Sequence, residues 1–378
     1  MHFIIDKSQL INGIQNVSKA VSSKTTIPIL TGIKFDLTKE GLTLSGSDSD
    51  ISIQMFISKT DNETEFVKIY REGKLILPKY IIDIVKKLPT DEVEFEQMDQ
   101  LSVIIRSGRT EFRLNGYDAE EFPNLPIINE EKVFTIQSDL LKSMIRQTFF
   151  AVYTMESRPI LTGVLWELEE HMLKFVATDS HRLATRSSMV EALTESSFYN
   201  IVVPGKSLNE LSKILSEDRL PVEIVVTENQ ILVRMRELLF YSRLLDGTYP
   251  DTSRIIPDKF KTDIILSKHD FADAIERTLL IAKDGKNNIV KLTTQDDLMI
   301  ELSSNAPEVG NVMDHIQAKE INGEQLKISF NAKYVLDALK AIDSQEIRIE
   351  FTGALSPFVI KPVDHDWALH LILPVRTY

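Results

Sequence analysis

Apolar residues recur at helical spacing in six short segments of the chain and at strand spacing between them. Leu10, Ile14, Val17 and Val21 mark the first helical stripe, one face of a 3.6-residue period. Asp6 followed by Gln9 gives that stripe a capping box at its start. The same spacing predicts helices in PKYIIDIVKKL, SDLLKSMIRQTFFAV, PGKSLNELSKIL, SKHDFADAIERTLLIAK and NAKYVLDALKAI. Ser267 and Asp270 form a second capping-box pattern. Between these segments LTLSG, VEFE, LSVII, VEIVV, ILVRM, LMIELS and IRIEF alternate or run apolar over strand lengths and are rich in β-branched residues. The connections are short, which favours hairpins and meanders over parallel crossovers. The predicted class is α+β, with helices on one side of antiparallel sheets.

The pattern repeats. PILTG occurs at Pro28 to Gly32 and again at Pro159 to Gly163, an offset of 131 (159 minus 28). LTLSGSDSD and LKFVATDSH keep that offset, pairing Asp48 with Asp179 and Ser49 with Ser180. FIIDKSQLINGIQNV from Phe3 and FTIQSDLLKSMIRQT from Phe134 keep it too. RLNGYDAEEFP resembles RLLDGTYP at a slightly shorter offset. KYIIDIVKKL and KYVLDALKAI are 254 apart (333 minus 79), about two periods. A period this long lies outside the solenoid range and points to duplicated domains. Three similar domains are expected, 1–126, 127–256 and 257–378, each with two helices.

Composition narrows the class. The chain has 378 residues, 43% of them hydrophobic, and no cysteine, which excludes disulfides and thiolate metal sites. An acid at Asp6 and the lack of a long apolar run predict neither a secretory leader nor a membrane span. The net charge of −13 argues weakly against nucleic acid. Its distribution argues the other way: the six helical segments sum to +8, so the rest carries −21 (−13 minus 8). Phosphates sense the local field within about 10 Å at ordinary salt. Solvated basic helices would give the same count.

Three catalytic patterns fail on inspection. PGKSL at Pro204 to Leu208 lacks the glycine a phosphate-binding loop needs five residues before Gly205, where Asn200 stands. Asp179, Ser180 and His181 are consecutive, so their side chains cannot converge as a hydrolytic triad, and no GxSxG elbow presents a nucleophile. Asp48 and Asp50 open like a calcium loop, but Ser52 follows and no glycine does. The histidines show no HExxH. No catalytic residue, metal or cofactor is expected.

TTIPILTG, ATDSHRLA, RLLDGTYPD, KYVLDAL and the terminal ILPVR together resemble the bacterial sliding clamp family, the β subunit of DNA polymerase III holoenzyme. The resemblance runs from MHFIIDKSQL to LPVRTY. It implies a non-enzymatic, cytoplasmic, nucleoid-associated processivity factor: a ring-shaped homodimer of three-domain subunits around duplex DNA. Helices line the hole and sheets form the outer wall. The implied partners are double-stranded DNA without sequence preference, the replicative polymerase, the clamp loader and other proteins with a clamp-binding motif, and no membrane. Few, weak phosphate contacts suit sliding.

The resemblance also assigns residues. Lys24, Lys79, Lys86, Arg146, Lys206 and Lys213 are the expected DNA-facing cations. An apolar pocket for short peptides is carried over as Leu161, Thr178, His181, Arg182, Leu183, Pro250, Arg254, Ile255, Tyr334, Leu371, Ile372, Leu373, Pro374, Val375 and Arg376. Aliphatic walls there would take a peptide's apolar anchors while basic groups orient it. Phe112 and Leu114 of one subunit would meet Leu280 and Ile281 of the other. Some members carry a dense acidic run in the third domain; here APEVGNVMDHI offers only Glu308 and Asp314. Ser180 stands where other members have Gly. A hydrolase or phosphate binder built on PGKS or Asp179–His181, and a protein scaffold that ignores DNA, remain as alternatives.

Overall fold

The computed structural model describes residues 1–22, 25–61, 64–99, 101–125, 132–192, 197–283 and 288–376. Each predicted helical segment forms a helix: α1 (Lys7–Val17), α2 (Ile81–Lys87), α3 (Ser138–Arg146), α4 (Gly205–Ser212), α5 (Lys268–Ala282) and α6 (Ala332–Ala341). Both capping residues act as the sequence predicts. The Asp6 carboxylate accepts the Gln9 N–H at 2.9 Å, and the Ser267 hydroxyl accepts the Asp270 N–H at 3.3 Å.

The duplication is visible in hydrogen bonds. Where each repeat's first helix starts, its chain is tied to the end of the second. Lys7 Nζ donates to the Leu88 carbonyl (3.1 Å) and Lys268 Nζ to the Ile342 carbonyl (2.8 Å), while Ser138 Oγ reaches the Ser216 carbonyl (3.0 Å). At Leu88 and Ile342 a cation satisfies a carbonyl that the helix end leaves unpaired, and Ser216 lies in the segment that follows α4. The two Asp-Ser turns match as well. Asp48 Oδ1 accepts the N–H of Asp50 and Ile51, and Asp179 Oδ1 accepts those of His181 and Arg182. Each turn holds its serine left-handed, Ser49 at φ 81° and Ser180 at φ 75°.

PILTG does not run straight into a strand in either copy. Pro28–Thr31 and Pro159–Thr162 are 3-10 turns, each closed by its threonine hydroxyl on the proline carbonyl at 2.7 Å. The strand begins at the glycine. A Cβ at Gly32 would stand 2.4 Å from Ile76 Cγ2, and one at Gly163 2.7 Å from Val202 Cγ1. The glycine is there because the neighbouring strand comes too close for any side chain.

All named strand pairs are antiparallel, in two nine-stranded sheets, one five-stranded and one four-stranded sheet, and a two-stranded ribbon. The chain packs as two compact units, one of Met1–Ser138, Ala192–Thr194 and Glu210–Leu244, the other of Asp139–Glu191, Glu195–Asn209 and Leu245–Tyr378. The middle repeat contributes to both, because its strands extend the sheets of its neighbours. In the first unit Leu238–Arg243 pairs with Ile51–Ser58; in the second Arg182–Met189 pairs with Ala368–Ile372. Joining strands across repeats removes edges that would otherwise be open.

The core of the first unit sets α1, through Leu10, Ile14 and Val17, over sheets whose Phe3 and Phe95 rings stack at 5.0 Å. In the second, α5 and α6 cover Phe330, Phe351 and Phe358, the Phe358 ring lying 5.5 Å from that of Phe330 and 5.2 Å from that of Phe351.

Candidate peptide-docking and nucleic-acid-facing sites

Within the second unit, Arg182 organises the predicted pocket. Its strand starts after the Asp179 turn, so the guanidinium lies beside the carboxylate that shapes the turn, Nε to Asp179 Oδ2 at 3.0 Å. Nη1 meets Asp337 Oδ2 at 2.6 Å, and Nη2 donates to the Phe150 carbonyl at 2.7 Å. The cation sits 4.5 Å from the Tyr334 ring centre and 5.3 Å from that of Phe150. With two carboxylates and two rings around it, the Arg182 guanidinium is held in place and its charge is compensated.

An apolar cluster stands beside it. Leu161, Leu183 and Leu371 are buried with Val176, Val202, Tyr249 and Val359, and Leu373 packs against them. The Tyr249 hydroxyl accepts the Thr178 N–H at 3.0 Å, and burial pushes its phenol pKa up. Thr178 Oγ1 donates to the Arg182 carbonyl at 2.7 Å. The C-terminal tract is tied in by Leu373 N–H on the His181 carbonyl and Val375 N–H on the Ser329 carbonyl. His181 is exposed, its ring centre 6.3 Å from that of Tyr334.

The sequence-predicted set divides. Leu161, Thr178, His181, Arg182, Leu183, Tyr334, Leu371 and Leu373 are joined by these contacts. Ile372 belongs to the core beneath the helices, since neighbouring strand residues face opposite sides. Pro250 and Arg376 are exposed, Pro374 and Val375 half-buried, and Arg254 and Ile255 form an exposed 3-10 turn with Arg254 3.7 Å from Asp251. Sequence reasoning missed Asp337, Phe150 and Tyr249. Asp337 was findable, because it lies three residues after Tyr334 and therefore on the same face of α6.

The DNA-facing candidates are more varied than their shared charge suggests. Lys24 lies outside the described residues. Lys79 Nζ is committed to the Val21 carbonyl at 2.6 Å. Arg146 grips both Asp343 oxygens (2.6 and 2.7 Å) and the Lys340 and Ala341 carbonyls, closing the C-terminal end of α6. Lys213 pairs with Glu210 at 2.7 Å; Lys86 and Lys206 are exposed. Burial lowers the pKa of nearby Lys19.

The catalytic alternatives lose their geometry. The Asp179 carboxylate is spent on the turn and on Arg182, while Ser180 Oγ accepts from Arg158 Nη1 at 2.8 Å. PGKS simply opens α4. Among the described residues no group of His, Asp and Glu is placed to hold a metal, and no helix is long and apolar enough to cross a membrane.

Three family models match in tandem: the N-terminal domain of the DNA polymerase III beta subunit over residues 1–126, its central domain over 135–251 and its C-terminal domain over 253–376. The chain belongs to the DNA polymerase III beta subunit family. Its similarity to single members of the family is also end to end. It is 52% identical to the beta sliding clamp of Bacillus subtilis over 379 residues and 50% identical to that of Halalkalibacterium halodurans over 380, covering all of each. The crystal structure of the B. subtilis clamp superposes with a TM-score of 0.97 at 51% identity, and the beta subunit of Thermotoga maritima with 0.90 at 27%, each over the whole of both chains. The fold is thus the clamp fold of three similar domains, and the family is a non-catalytic processivity factor in DNA replication.

Proposed function

We infer that this chain is the sliding clamp of its cell: a homodimeric ring that encircles duplex DNA and tethers the replicative polymerase. The carrying observation is the end-to-end match of three clamp domains in the family's order. We take those domains as 1–126, 127–256 and 257–378, acting in the cytoplasm at the nucleoid.

The arrangement of charge supports sequence-independent holding. Several helix cations are already spent on carbonyls or carboxylates, so few remain for phosphates, and a few weak contacts permit sliding where many would stop it. Lys86 is the leading contact, with Lys24, Lys79, Arg146, Lys206 and Lys213 secondary.

The Leu161–Leu183–Leu371 wall with Tyr334 and His181 is the proposed dock for short peptide motifs of the polymerase, the clamp loader and other partners. A rigid apolar wall with polar groups at its margin is what such ligands need.

Two strands are candidates for the subunit seam. Thr110–Asn115 ends the five-stranded sheet and Gly310–Gln317 ends the four-stranded one, each with one side unpaired in its own sheet. Phe112 is 36% and Leu280 65% exposed, whereas Leu114 is buried and Ile281 half-buried. Asp314 is engaged by Arg277 at 2.6 Å, which leaves apolar contact and strand pairing to hold the seam.

The test is topological. Protein loaded on nicked circular DNA should stay, and linearising the DNA should release it; equal loss from both forms would overturn encirclement. Deleting residues 374–378 should abolish binding of a polymerase-derived peptide and leave the dimer intact.

A further inference from the structure

We propose that the first unit holds a second docking site, for an extended partner segment with a carboxylate at one end and an apolar side chain at the other. The comparison with the second unit rests on the pocket assignment above; the cavity in the first unit does not.

The two junctions between repeats share one frame. In the second unit Leu165 lies opposite Val176, and Leu371 opposite both Leu183 and Val359. These side chains build the apolar wall of the dock. Moving back by the repeat offset of 131 turns Leu165, Val176 and Leu183 into Lys34, Ser45 and Ser52. The pairing is kept: Lys34 lies opposite Ser45, and Tyr241 opposite both Ser52 and Leu232. Tyr241 therefore stands where Leu371 does. The backbone frame is the same, and much of its wall has changed from aliphatic to polar.

The changed wall borders a cavity of about 420 Å³, within the size range of ligand sites. Phe122, Pro123 and Leu125, from the segment that leaves the first repeat, line it together with Leu232 and Leu239. Its charges are unequally matched. Arg234 is compensated by Glu223 at 2.6 Å and Asp36 by Lys74 at 3.3 Å. Among the described residues no carboxylate lies within ion-pair distance of Lys34, whose Nζ stands 5.8 Å from the centre of the Phe122 ring. Lys34 is thus the end of the cavity that a carboxylate fits, and Leu232 and Leu239 are the apolar end. Three strands separate Gly32–Leu37, which carries Lys34, from Gln230–Met235, which carries Leu232. About 4.8 Å per paired strand puts roughly 19 Å between them, the reach of about six extended residues. A small anion at Lys34 would leave the far apolar surface bare; a peptide crossing the strands covers both ends.

The experiment titrates full-length protein into a labelled, end-blocked peptide Asp-Ser-Gly-Ser-Leu and its asparagine counterpart. Polymerase docking peptide is present in excess to occupy the second unit, and its own binding is read separately. Wild-type protein should prefer the aspartate peptide about two- to fivefold at low salt, the range of a solvent-accessible ion pair. Lys34→Gln should remove that preference and leave the asparagine peptide unaffected. Leu239→Ala should weaken both peptides, and neither variant should alter binding of the polymerase peptide. A preference that persists in Lys34→Gln overturns the charge role, and unchanged affinities in Leu239→Ala overturn the apolar end. If neither short peptide binds wild-type protein, the second site is overturned. If the short peptides bind as expected while the polymerase peptide does not, the pocket assignment falls and this site stands.

Discussion

At the scale of single residues, the most consequential side chains are buried polar ones whose partners come from distant positions. Arg182 is 11% exposed and Asp337 27%. Asp337→Ala leaves the cation with Asp179 alone, and a cost of about 1–2 kcal/mol follows from weakening a partly buried, hydrogen-bonded pair. Urea unfolding should show the loss, and peptide affinity should fall with it because Tyr334 loses the cation that fixes its ring. His370 makes a sharper prediction. It is fully buried beneath Phe150, both ring nitrogens are without a hydrogen-bond partner, and burial pushes its pKa down to about 3 from the ordinary 6.5. The folded state then holds the imidazole neutral while the unfolded chain protonates below 6.5. Stability from this group is complete above that value and is lost as pH falls toward 3, at up to about 1.4 kcal/mol per pH unit. Unfolding curves at a series of pH values should therefore be flatter for His370→Leu than for wild type between pH 6.5 and 4. Parallel curves would show that the ring finds a proton-compatible environment.

At the scale of elements, periodic pattern was enough for the helices and for the strands singled out, and the two capping boxes placed two helix starts. The 3-10 turns at PILT were not legible, because four residues carry no period and proline before a β-rich run reads equally as a loop end. What distinguishes them is tertiary: a strand so close to Gly163 that a Cβ would meet Val202, Leu245 and the Val203 carbonyl within 2.8 Å. Gly163→Ala should cost about 1–3 kcal/mol through that overpacking, read as a lower melting temperature. Arg146 shows why charge along a helix was an incomplete guide. From sequence it is one more basic residue facing DNA; in the fold its guanidinium closes α6 through Asp343 and two carbonyls. Such a half-exposed pair at a helix C-terminus contributes about 0.5–1 kcal/mol. Arg146→Ala should lower stability by that amount with little change in the salt dependence of DNA association. Lys86→Ala should do the reverse, reducing the slope by about one ion and leaving the melting temperature unchanged. Equal salt slopes for the two variants would show that charge alone decides.

At the scale of the whole molecule, the repeat period foretold three similar parts, while packing joins the middle part to both neighbours through continuous sheets. Sequence could not show this, because strand pairing across repeats leaves no trace in a hydrophobic pattern. The same logic extends past one chain. Interior junctions are closed by strand pairing, as between Ile51–Ser58 and Leu238–Arg243, and the proposed seam would continue that pattern in a second copy through the edge strands Thr110–Asn115 and Gly310–Gln317. An unsatisfied edge flanked by exposed apolar side chains is stabilised by pairing and is an aggregation hazard without it. Replacing Phe112 and Leu280 together by aspartate places like charges on both sides of the proposed seam. Sedimentation should then report a monomer, with the melting transition of each unit retained because neither residue lies in a core. The monomer should keep its affinity for polymerase peptide, whose pocket lies within one unit, and should lose all retention on nicked circular DNA. A variant that remains dimeric would move the seam elsewhere; a monomer still retained on the circle would separate DNA holding from ring closure.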